Sequence, residues 1–255
     1  MPSKTAANLL PPPPSFLLQS VSLFIDFDGT LVELMDRPDA VVVDEPLRDL
    51  LGALGAALPG RVAIVTGRSV EQIDGFLGEL SRAFAVAGSH GSERRLASGE
   101  LSPPLDMPDM GPVIQALGEF AASHPGTIVE RKRYGVALHY RLAPEIEGKA
   151  QEVVEHLAQK FGFGVQTGKM MAELKILGGD KGQAVAAFLE QPSMAGTQPW
   201  FIGDDLTDEA GFMAAAALGG GGVFVGPPRE TAALFALPDV GAVRAWLTEA
   251  VRNLA

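Results

Sequence analysis

The chain has 255 residues, which is enough for one large domain or for two moderate domains with separate hydrophobic cores. Hydrophobic residues make up 47% and charged residues 20%, and the net charge of −11 argues against nucleic acid or an anionic membrane as the main partner. Cysteine is absent, which excludes disulfides, thiol chemistry and cysteine-ligated metal sites. Because no apolar run approaches the roughly 18–20 residues of a membrane span, we expect a cytoplasmic protein without a membrane partner. As a separate expectation, the protein is a monomer.

The N-terminal segment, residues 1–19, is expected to be a loose leader. Four consecutive prolines, Pro11 to Pro14, make part of it stiff and extended. It lacks the apolar stretch of about 7–15 residues that is typical of a signal peptide. The sequence indicates no role for this leader.

Five apolar runs are each followed by polar residues and a small loop. Their hydrophobicity is continuous rather than alternating, which indicates parallel strands that are buried on both faces. Helical patterns lie between these runs, so the sequence predicts an α/β fold with a doubly wound, Rossmann-like parallel sheet. Ligands of such sheets bind beyond the carboxyl ends of the strands. The runs are Val21–Ile25 before "DFDGT", Val62–Val65 before "TGRS", Phe84–Ala87 before "GSHG", Trp200–Ile202 before "GDDLTDE" and Val223–Val225 before "GPPRE".

Local signals add detail to this fold. Ser69 followed by Gln72 is the pattern of a helix capping box, and Asp239 is the expected N-cap of the last helix. The "GGGG" run at 219–222 is predicted to be a flexible turn before the last strand. No glycine-rich nucleotide-binding motif is present, so no nucleotide cofactor is implied.

Residues 104–177 have a different pattern. A helix followed by two strand-like runs occurs twice, which predicts an antiparallel α+β module. Linker-like segments precede and follow it. The sequence therefore predicts a core domain formed by residues 20–103 and 178–255, interrupted by an inserted α+β cap domain.

Asp26 and Asp28 follow the first apolar run. Residues i and i+2 of a strand point the same way, so both carboxylates could face one site, where one attacks phosphorus and the other transfers a proton. Gly29 would let the backbone approach a ligand closely. The alternative for such a pair is a turn or a helix cap.

Further acidic residues, in "GDDLTDE", follow the fourth run. Oxygen ligands from two strand ends are a typical arrangement for Mg²⁺, and Asp204 is the expected ligand because it lies nearest the strand end. Asp205 and Asp208 are expected in supporting roles. The alternative is helix capping at the positive end of the next helix.

Two further motifs offer groups that bind anions. Thr66 and Gly67 stand directly before a helix and form a natural phosphate cradle. Lys181 stands in the first turn of a helix, where a cation opposes the helix dipole and a bound anion would explain its position. The alternatives are an ordinary turn and a solvated surface lysine.

Together, in this order, these motifs resemble the haloacid dehalogenase-like phosphatase superfamily. Its four loop motifs match Asp26 with Asp28, Thr66, Lys181, and Asp204 with Asp208. The resemblance implies that Asp26 is the nucleophile and Asp28 the general acid and base. In the mechanism that we expect, Mg²⁺ is held by Asp26, Asp204 and the backbone carbonyl of Asp28.

The segments "ERKRYGVALHYR", "MMAELKILGGDKG", "AGSHG" and "GDDLTDE" are together similar to the trehalose-6-phosphate phosphatase family. The resemblance implies that Glu130, Lys132 and Glu173 grip the sugar ring distal to the phosphate; the alternative is the solvated face of a half-exposed sheet. Arg68 and His90 are further candidates for substrate contact, although each could instead support a loop.

The sequence therefore predicts a Mg²⁺-dependent phosphatase that hydrolyses trehalose 6-phosphate through an aspartyl-phosphate intermediate. Sucrose phosphate or a mannosyl phosphate ester are alternative substrates. A receiver-type signalling module also combines an aspartate cluster, a threonine and a lysine, but its acceptor aspartate lies on a later strand. A catalytically inactive sugar-phosphate sensor is the remaining alternative.

Overall fold

A computed structural model describes residues 10–15, 17–35, 40–102, 109–132, 135–168, 170–176 and 180–254. The chain divides into two compact units. Unit 1 comprises Met1–Pro103 and Gly179–Ala255, and unit 2 comprises Pro104–Gly178.

The strands and helices of the described residues are numbered in chain order. The strands are β1 (Val21–Ile25), β2 (Val62–Val65), β3 (Ala85–Gly88), β4 (Glu93–Arg95), β5 (Leu101–Ser102), β6 (Ile128–Lys132), β7 (Gly135–His139), β8 (Phe163–Gly168), β9 (Met171–Ile176), β10 (Gln198–Gly203), β11 (Gly221–Val225) and β12 (Phe235–Leu237). The α-helices are α1 (Glu45–Ala57), α2 (Val70–Leu77), α3 (Gly111–Ser123), α4 (Glu147–Phe161), α5 (Lys181–Leu189), α6 (Glu209–Ala217) and α7 (Val240–Arg252). Short 3₁₀ turns occupy Gly78–Ala83, Ser89–Gly91, Pro144–Ile146 and Leu206–Asp208.

Unit 1 is built on an eight-stranded sheet with the order β12-β11-β10-β1-β2-β3-β4-β5. The pairs from β12 to β3 are parallel, whereas β4 and β5 add antiparallel strands at one edge. The chain proceeds from β1 outward through β2 and β3 on one side, and later returns to place β10 and β11 on the other. The strand order therefore reverses at β1, which is the point where ligands bind in open α/β sheets.

Both faces of this sheet are buried, as the continuous apolar runs predicted. Along β1, Leu23 and Ile25 join a core cluster that includes residues of α1, α2 and α7. Phe24 points to the opposite face and joins a second cluster with residues of α5 and α6. Helices thus cover both faces, and the predicted doubly wound α/β fold is confirmed. Among the helices that the structure describes, none combines the length and apolar character that a bilayer crossing requires.

The predicted capping signals are confirmed. The Ser69 hydroxyl accepts a hydrogen bond from the Gln72 backbone N–H while the Gln72 side chain accepts one from the Ser69 N–H, which begins α2. Asp239 caps α7 through the Ala242 N–H. Asp180 caps α5 through the Gln183 N–H, and this fixes the start of the helix whose first residue is Lys181.

Unit 2 is a four-stranded antiparallel sheet with the order β6-β7-β9-β8 and two helices. Val136 and Leu138 of β7 and Leu174 of β9 belong to one buried cluster. The same cluster contains Val113 of α3 and Val154 of α4, so both helices contribute to the core of this unit.

Two expectations from the sequence differ from the structure. Gly221 and Gly222 belong to β11 rather than to a turn. A Cβ added to Gly221 would lie 2.9 Å from Trp200, and one added to Gly222 would lie 2.6 Å from Phe212. Close packing therefore excludes a side chain at both positions. The short strands β4, β5 and β12 have no counterpart among the predicted apolar runs.

The N-terminal leader also differs where it is described. Leu18 is fully buried in the core of unit 1. The Pro11 carbonyl accepts a hydrogen bond from the Ala236 N–H at 3.0 Å, and the Pro14 carbonyl accepts one from Trp246 Nε1 at 3.4 Å. Residues 10–15 and 17–19 are therefore packed on the domain rather than loose, whereas residues 1–9 lie outside the described part of the chain.

Candidate active site

The candidate site lies at the carboxyl ends of three adjacent strands. Asp26 follows β1, Thr66 follows β2 and Asp204 follows β10. Since β1 pairs with both β2 and β10, the three residues leave the same edge of the sheet side by side. The Asp26 N–H donates to the Ile202 carbonyl at 2.9 Å and so continues the ladder into the site.

Lys181 is buried beneath this edge, with an exposed fraction of 2%. Its Nζ donates to Asp208 Oδ1 at 2.7 Å and lies 3.2 Å from Asp26 Oδ2. Burial lowers the pKa of Lys181, but the carboxylates of Asp26 and Asp208 outweigh this effect, and the pKa is raised above its ordinary value. The lysine is therefore a charged partner of two aspartates, not the solvated surface residue that was the alternative.

Three carboxylates form an acidic cluster in which one oxygen each of Asp26, Asp204 and Asp208 lie within 4.8 Å of one another. Burial raises the pKa of Asp26 well above its ordinary value, and raises those of Asp204 and, to about 6, Asp208. One lysine cannot balance three carboxylates. The cluster therefore suits a divalent cation with oxygen ligands.

Asp208 is completely buried and organises the loop that carries Asp204. Its Oδ2 accepts hydrogen bonds from the backbone N–H groups of Asp204 at 2.9 Å and Asp205 at 3.0 Å. Gly203 leaves room for this carboxylate, because any side chain at that position would occupy the same space. Asp208 thus connects the loop to Lys181.

Asp205 faces a different set of partners. Its Oδ1 accepts hydrogen bonds from the Thr207 N–H at 2.7 Å and the Thr207 hydroxyl at 2.6 Å, which caps the turn at Leu206–Asp208. Burial raises the pKa of Asp205, but the hydrogen bonds from Thr207 and the charge of Lys181 together outweigh burial, and the pKa is lowered. Asp205 is outside the group of three clustered carboxylates that the described residues form.

Asp28 is held by Arg68 rather than by the acidic cluster. Arg68 Nε donates to Asp28 Oδ2 at 2.6 Å and Nη2 donates to Oδ1 at 2.7 Å. The Arg68 guanidinium also lies over the Phe76 ring, 4.9 Å from its centroid. Such a bidentate pair fixes the orientation of both side chains.

Gly29 brings the backbone of the first loop against Asp204. Its φ is +76°, a conformation that glycine adopts readily, and a Cβ there would collide with the Asp204 carboxylate. The next residue, Thr30, donates from its hydroxyl to Asp204 Oδ1 at 3.4 Å. The loops after β1 and β10 are therefore in direct contact.

The loops after β2 and β3 also meet. The His90 N–H donates to the Thr66 carbonyl at 2.9 Å, and the Ser89 N–H donates to the Arg68 carbonyl at 2.8 Å. A Cβ on Gly67 would lie 2.8 Å from the His90 ring. The structure thus brings His90 beside the predicted phosphate cradle.

The predicted sugar-binding residues belong to unit 2. Glu130 and Glu173 are the register partners of Ala137 on its two sides, so they lie on the same face of the sheet. Glu130 Oε2 lies 2.7 Å from His139 Nε2, and Glu173 is buried. The backbone of Lys132 pairs with Gly135, and the Lys132 side chain lies outside the described atoms.

Three residues of this arrangement, His139, Thr30 and Arg229, were not predicted from the sequence. His139 contacts Glu130, and Thr30 contacts Asp204. Arg229 contacts both Asp205 and Glu209. For Arg229 a signal was available, because "GPPRE" follows an apolar run just as the other motifs do.

A protein-family model described as "Trehalose-phosphatase" matches residues 24–223. The chain is 38% identical over 230 residues to a probable trehalose-phosphate phosphatase of Sinorhizobium fredii, a match that covers 89% of this chain and 86% of the relative. It is 36% identical over 235 residues to the trehalose-6-phosphate phosphatase of Escherichia coli strain K12, covering 90% and 87%. The solved structure of Aspergillus fumigatus trehalose-6-phosphate phosphatase has a TM-score of 0.69 at 25% identity, covering 96% of this chain and 99% of that one.

Proposed function

Because the chain belongs to the trehalose-phosphatase family, and so to the phosphoric monoester hydrolases, we propose that it hydrolyses trehalose 6-phosphate with Asp26 as the nucleophile. The products are trehalose and inorganic phosphate. The observation that carries the assignment of Asp26 is its place where the strand order reverses, 3.2 Å from the buried Lys181 and within the acidic cluster.

The contacts of the neighbouring carboxylates support Asp26 over its neighbours. Asp208 is fully buried and accepts hydrogen bonds from Lys181 and from two backbone N–H groups, so it has no route to a substrate. Both oxygens of Asp28 accept hydrogen bonds from Arg68. Asp204 is fixed between Gly29 and Thr30.

In the first step a carboxylate oxygen of Asp26 attacks phosphorus, and the bond from phosphorus to the sugar oxygen breaks. Asp28, in its protonated form, gives its proton to that leaving oxygen, and trehalose departs. In the second step Asp28 takes a proton from a water molecule that attacks phosphorus. The bond between phosphorus and Asp26 then breaks, which restores the Asp26 carboxylate and releases phosphate.

The remaining core residues bind the phosphoryl group. The Thr66 hydroxyl and the Gly67 N–H, in the loop after β2, and Lys181, at the start of α5, would neutralise phosphate oxygens. Such neutralisation usually supplies most of the catalysis of phosphoryl transfer. Asp26, Asp204 and the Asp28 carbonyl would hold Mg²⁺, which when bound would offset the charge of the carboxylates and of the phosphate. Asp205 and Asp208 support that loop.

Unit 2 supplies recognition of the sugar in this proposal. The carboxylates of Glu130 and Glu173 would accept hydrogen bonds from hydroxyl groups of the sugar, and Lys132 would donate one. Arg68 and His90 would also contact the substrate. Carboxylates on one sheet face are suitable acceptors for a hydroxyl-rich ligand. This function makes unit 2 the part of the chain that distinguishes trehalose 6-phosphate from smaller esters.

The test is phosphate release from trehalose 6-phosphate beside sucrose phosphate and a mannosyl phosphate ester, with and without Mg²⁺. We expect trehalose 6-phosphate to give the highest kcat/KM, and only with Mg²⁺. Asp26→Asn should lower kcat roughly 10⁴-fold or more without changing the fold. Asp180→Asn is the matched control, because asparagine also caps a helix.

Two outcomes would contradict the proposal. Near-normal turnover by Asp26→Asn would mean that another residue attacks. Persistence of an acyl-phosphate on the wild-type protein for minutes would instead favour the receiver-type signalling module.

A further inference from the structure

We propose that Arg229 is a positioning residue for the acidic loop 204–208 and thereby sets the affinity of the Asp204 site for a divalent cation. This inference rests on the proposed function, because it concerns the metal site of that same active centre. Arg229 lies in the loop between β11 and β12, outside the four motifs that carry the chemistry.

Arg229 connects two segments that are far apart in the chain. Its Nη2 donates to the Asp205 carbonyl at 2.9 Å, and its Nη1 donates to the carboxylate of Glu209, the first residue of α6. Nη1 also donates to the Glu230 carbonyl at 2.9 Å. A guanidinium can make these bonds at once because its donors have fixed directions.

The surroundings hold Arg229 in this position. Its guanidinium lies over the Phe224 ring, 4.4 Å from the centroid. The second oxygen of Glu209 accepts a hydrogen bond from the Ala232 N–H at 2.8 Å. The Arg229 and Glu209 side chains are 25% and 20% exposed, so their ion pair is sheltered from water more than a typical surface pair.

These contacts act on the backbone next to Asp204. The N–H of Asp205 donates to Asp208 Oδ2, and the carbonyl of Asp205 accepts from Arg229. Both peptide planes that flank Asp205 are therefore fixed, one by Asp208 and the other by Arg229. Without Arg229 the Asp205 carbonyl keeps only the longer hydrogen bond from the Asp208 N–H at 3.4 Å, and the loop that presents Asp204 gains freedom.

A role in positioning differs from a role in folding alone. A purely structural arginine would lower the thermal stability and leave the cation affinity of the folded protein unchanged. A positioning arginine changes the cation affinity itself. Groups that orient metal ligands typically contribute a factor of about 10–100 to affinity.

The test is Mn²⁺ binding to the substrate-free protein, followed by electron paramagnetic resonance. We expect Arg229→Gln to weaken Mn²⁺ binding about 10-fold or more. Arg229→Lys keeps the charge but lacks the several fixed N–H donors of a guanidinium, so it should give an intermediate loss of affinity. Glu209→Gln should weaken binding in the same direction. The exposed Arg252→Gln is the control. Raising the Mg²⁺ concentration should restore most of the kcat of Arg229→Gln.

Wild-type Mn²⁺ affinity in both Arg229→Gln and Arg229→Lys would overturn the inference and leave the proposed function standing. A loss of kcat that excess Mg²⁺ does not restore would also overturn it. By contrast, a wild-type protein that neither binds Mn²⁺ nor hydrolyses trehalose 6-phosphate would contradict the proposed function itself.

Discussion

Arg68 donates two hydrogen bonds to Asp28, from Nε at 2.6 Å and from Nη2 at 2.7 Å, and these occupy both carboxylate oxygens. In the proposed reaction Asp28 must instead carry a proton and face the leaving sugar oxygen. The pair therefore has to open when the substrate binds. Arg68 would then be free to contact the substrate, which is the role that the sequence predicted for it.

The first prediction concerns the role of Asp28. Asp28→Asn should lower kcat for trehalose 6-phosphate about 10²–10⁴-fold, because an alkoxide leaves poorly without a proton. p-Nitrophenolate needs no proton to leave. With p-nitrophenyl phosphate the variant should therefore release one equivalent of p-nitrophenolate per enzyme in a burst, followed by slow hydrolysis of the aspartyl-phosphate.

Rapid-mixing absorbance measures that burst. Equal slowing of both substrates without a burst would assign Asp28 to another role. In the proposed reaction Arg68 transfers no proton itself; it orients Asp28 and contacts the substrate. Arg68→Gln should therefore keep more activity than Asp28→Asn on both esters.

The second prediction concerns sugar recognition. Glu130→Ala should cost about 1.5–3 kcal/mol of transition-state stabilisation for trehalose 6-phosphate, which is the contribution of a hydrogen bond to a charged group. This corresponds to a decrease in kcat/KM of roughly 10- to 150-fold. Activity on p-nitrophenyl phosphate should change little. Steady-state kinetics with both esters measures the ratio, and the exposed Glu155→Ala of the same unit is the control. Equal losses on both esters would make Glu130 a structural residue.

The third prediction concerns the buried charges. Asp208→Asn should destabilise the metal-free fold by about 1–3 kcal/mol, because the two buried oxygens of Asp208 accept hydrogen bonds from Lys181 and from two backbone N–H groups, and the amide nitrogen of asparagine cannot accept one set of them. The expected decrease in Tm in EDTA is roughly 2–12 °C. Asp239→Asn, which keeps a helix cap, is the control.

A double variant tests the coupling. Lys181→Met should destabilise the Asp208→Asn background much less than it destabilises the wild type, since the lost partner is shared. Simple addition of the two effects would show that the pair contributes little.

The fourth prediction concerns pH. Burial raises the pKa of Asp208 to about 6 and raises that of Asp26 well above its ordinary value. As pH falls through this range, the metal-free fold takes up protons before the unfolded chain does, so the metal-free fold gains stability. A divalent cation held by Asp26 would have to displace the proton of Asp26, and its charge would disfavour a proton on the neighbouring Asp208.

The increase in Tm that Mg²⁺ produces should therefore shrink as pH falls from about 8 to about 5.5. Differential scanning fluorimetry with and without Mg²⁺ measures this difference. A constant Mg²⁺ effect over that range would mean that neither aspartate exchanges a proton for the cation.

The sequence predicted the fold because its signals were local and repeated. Each apolar run marked a buried strand, and Asp26, Thr66 and Asp204 each stand just after one. Parallel strands place such residues at one edge, so the composition of the site followed from strand order. The caps at Ser69 and Asp239 depend on residues three apart, which a sequence displays directly.

The pairings within the site were not predictable in the same way. That Arg68 holds Asp28, and that Asp208 joins Lys181 to the backbone of Asp204, depends on side-chain directions across loops far apart in the chain. The glycines of β11 were mistaken for a turn because close contact with Trp200 and Phe212 leaves the same signal as flexibility. Tertiary contacts, not local preference, decide such positions.

The hydrogen bond from the Ala236 N–H to the Pro11 carbonyl has a consequence for the outermost strand of the sheet. Ala236 lies in β12, the terminal strand on its side, and unpaired groups on such a strand invite pairing with another molecule. A proline segment can accept this bond, yet prolines have no N–H with which to recruit a further strand. A chain shortened to begin at Ser20 would lose this bond, and the Ala236 N–H of the outer strand would then be open to pairing with another molecule.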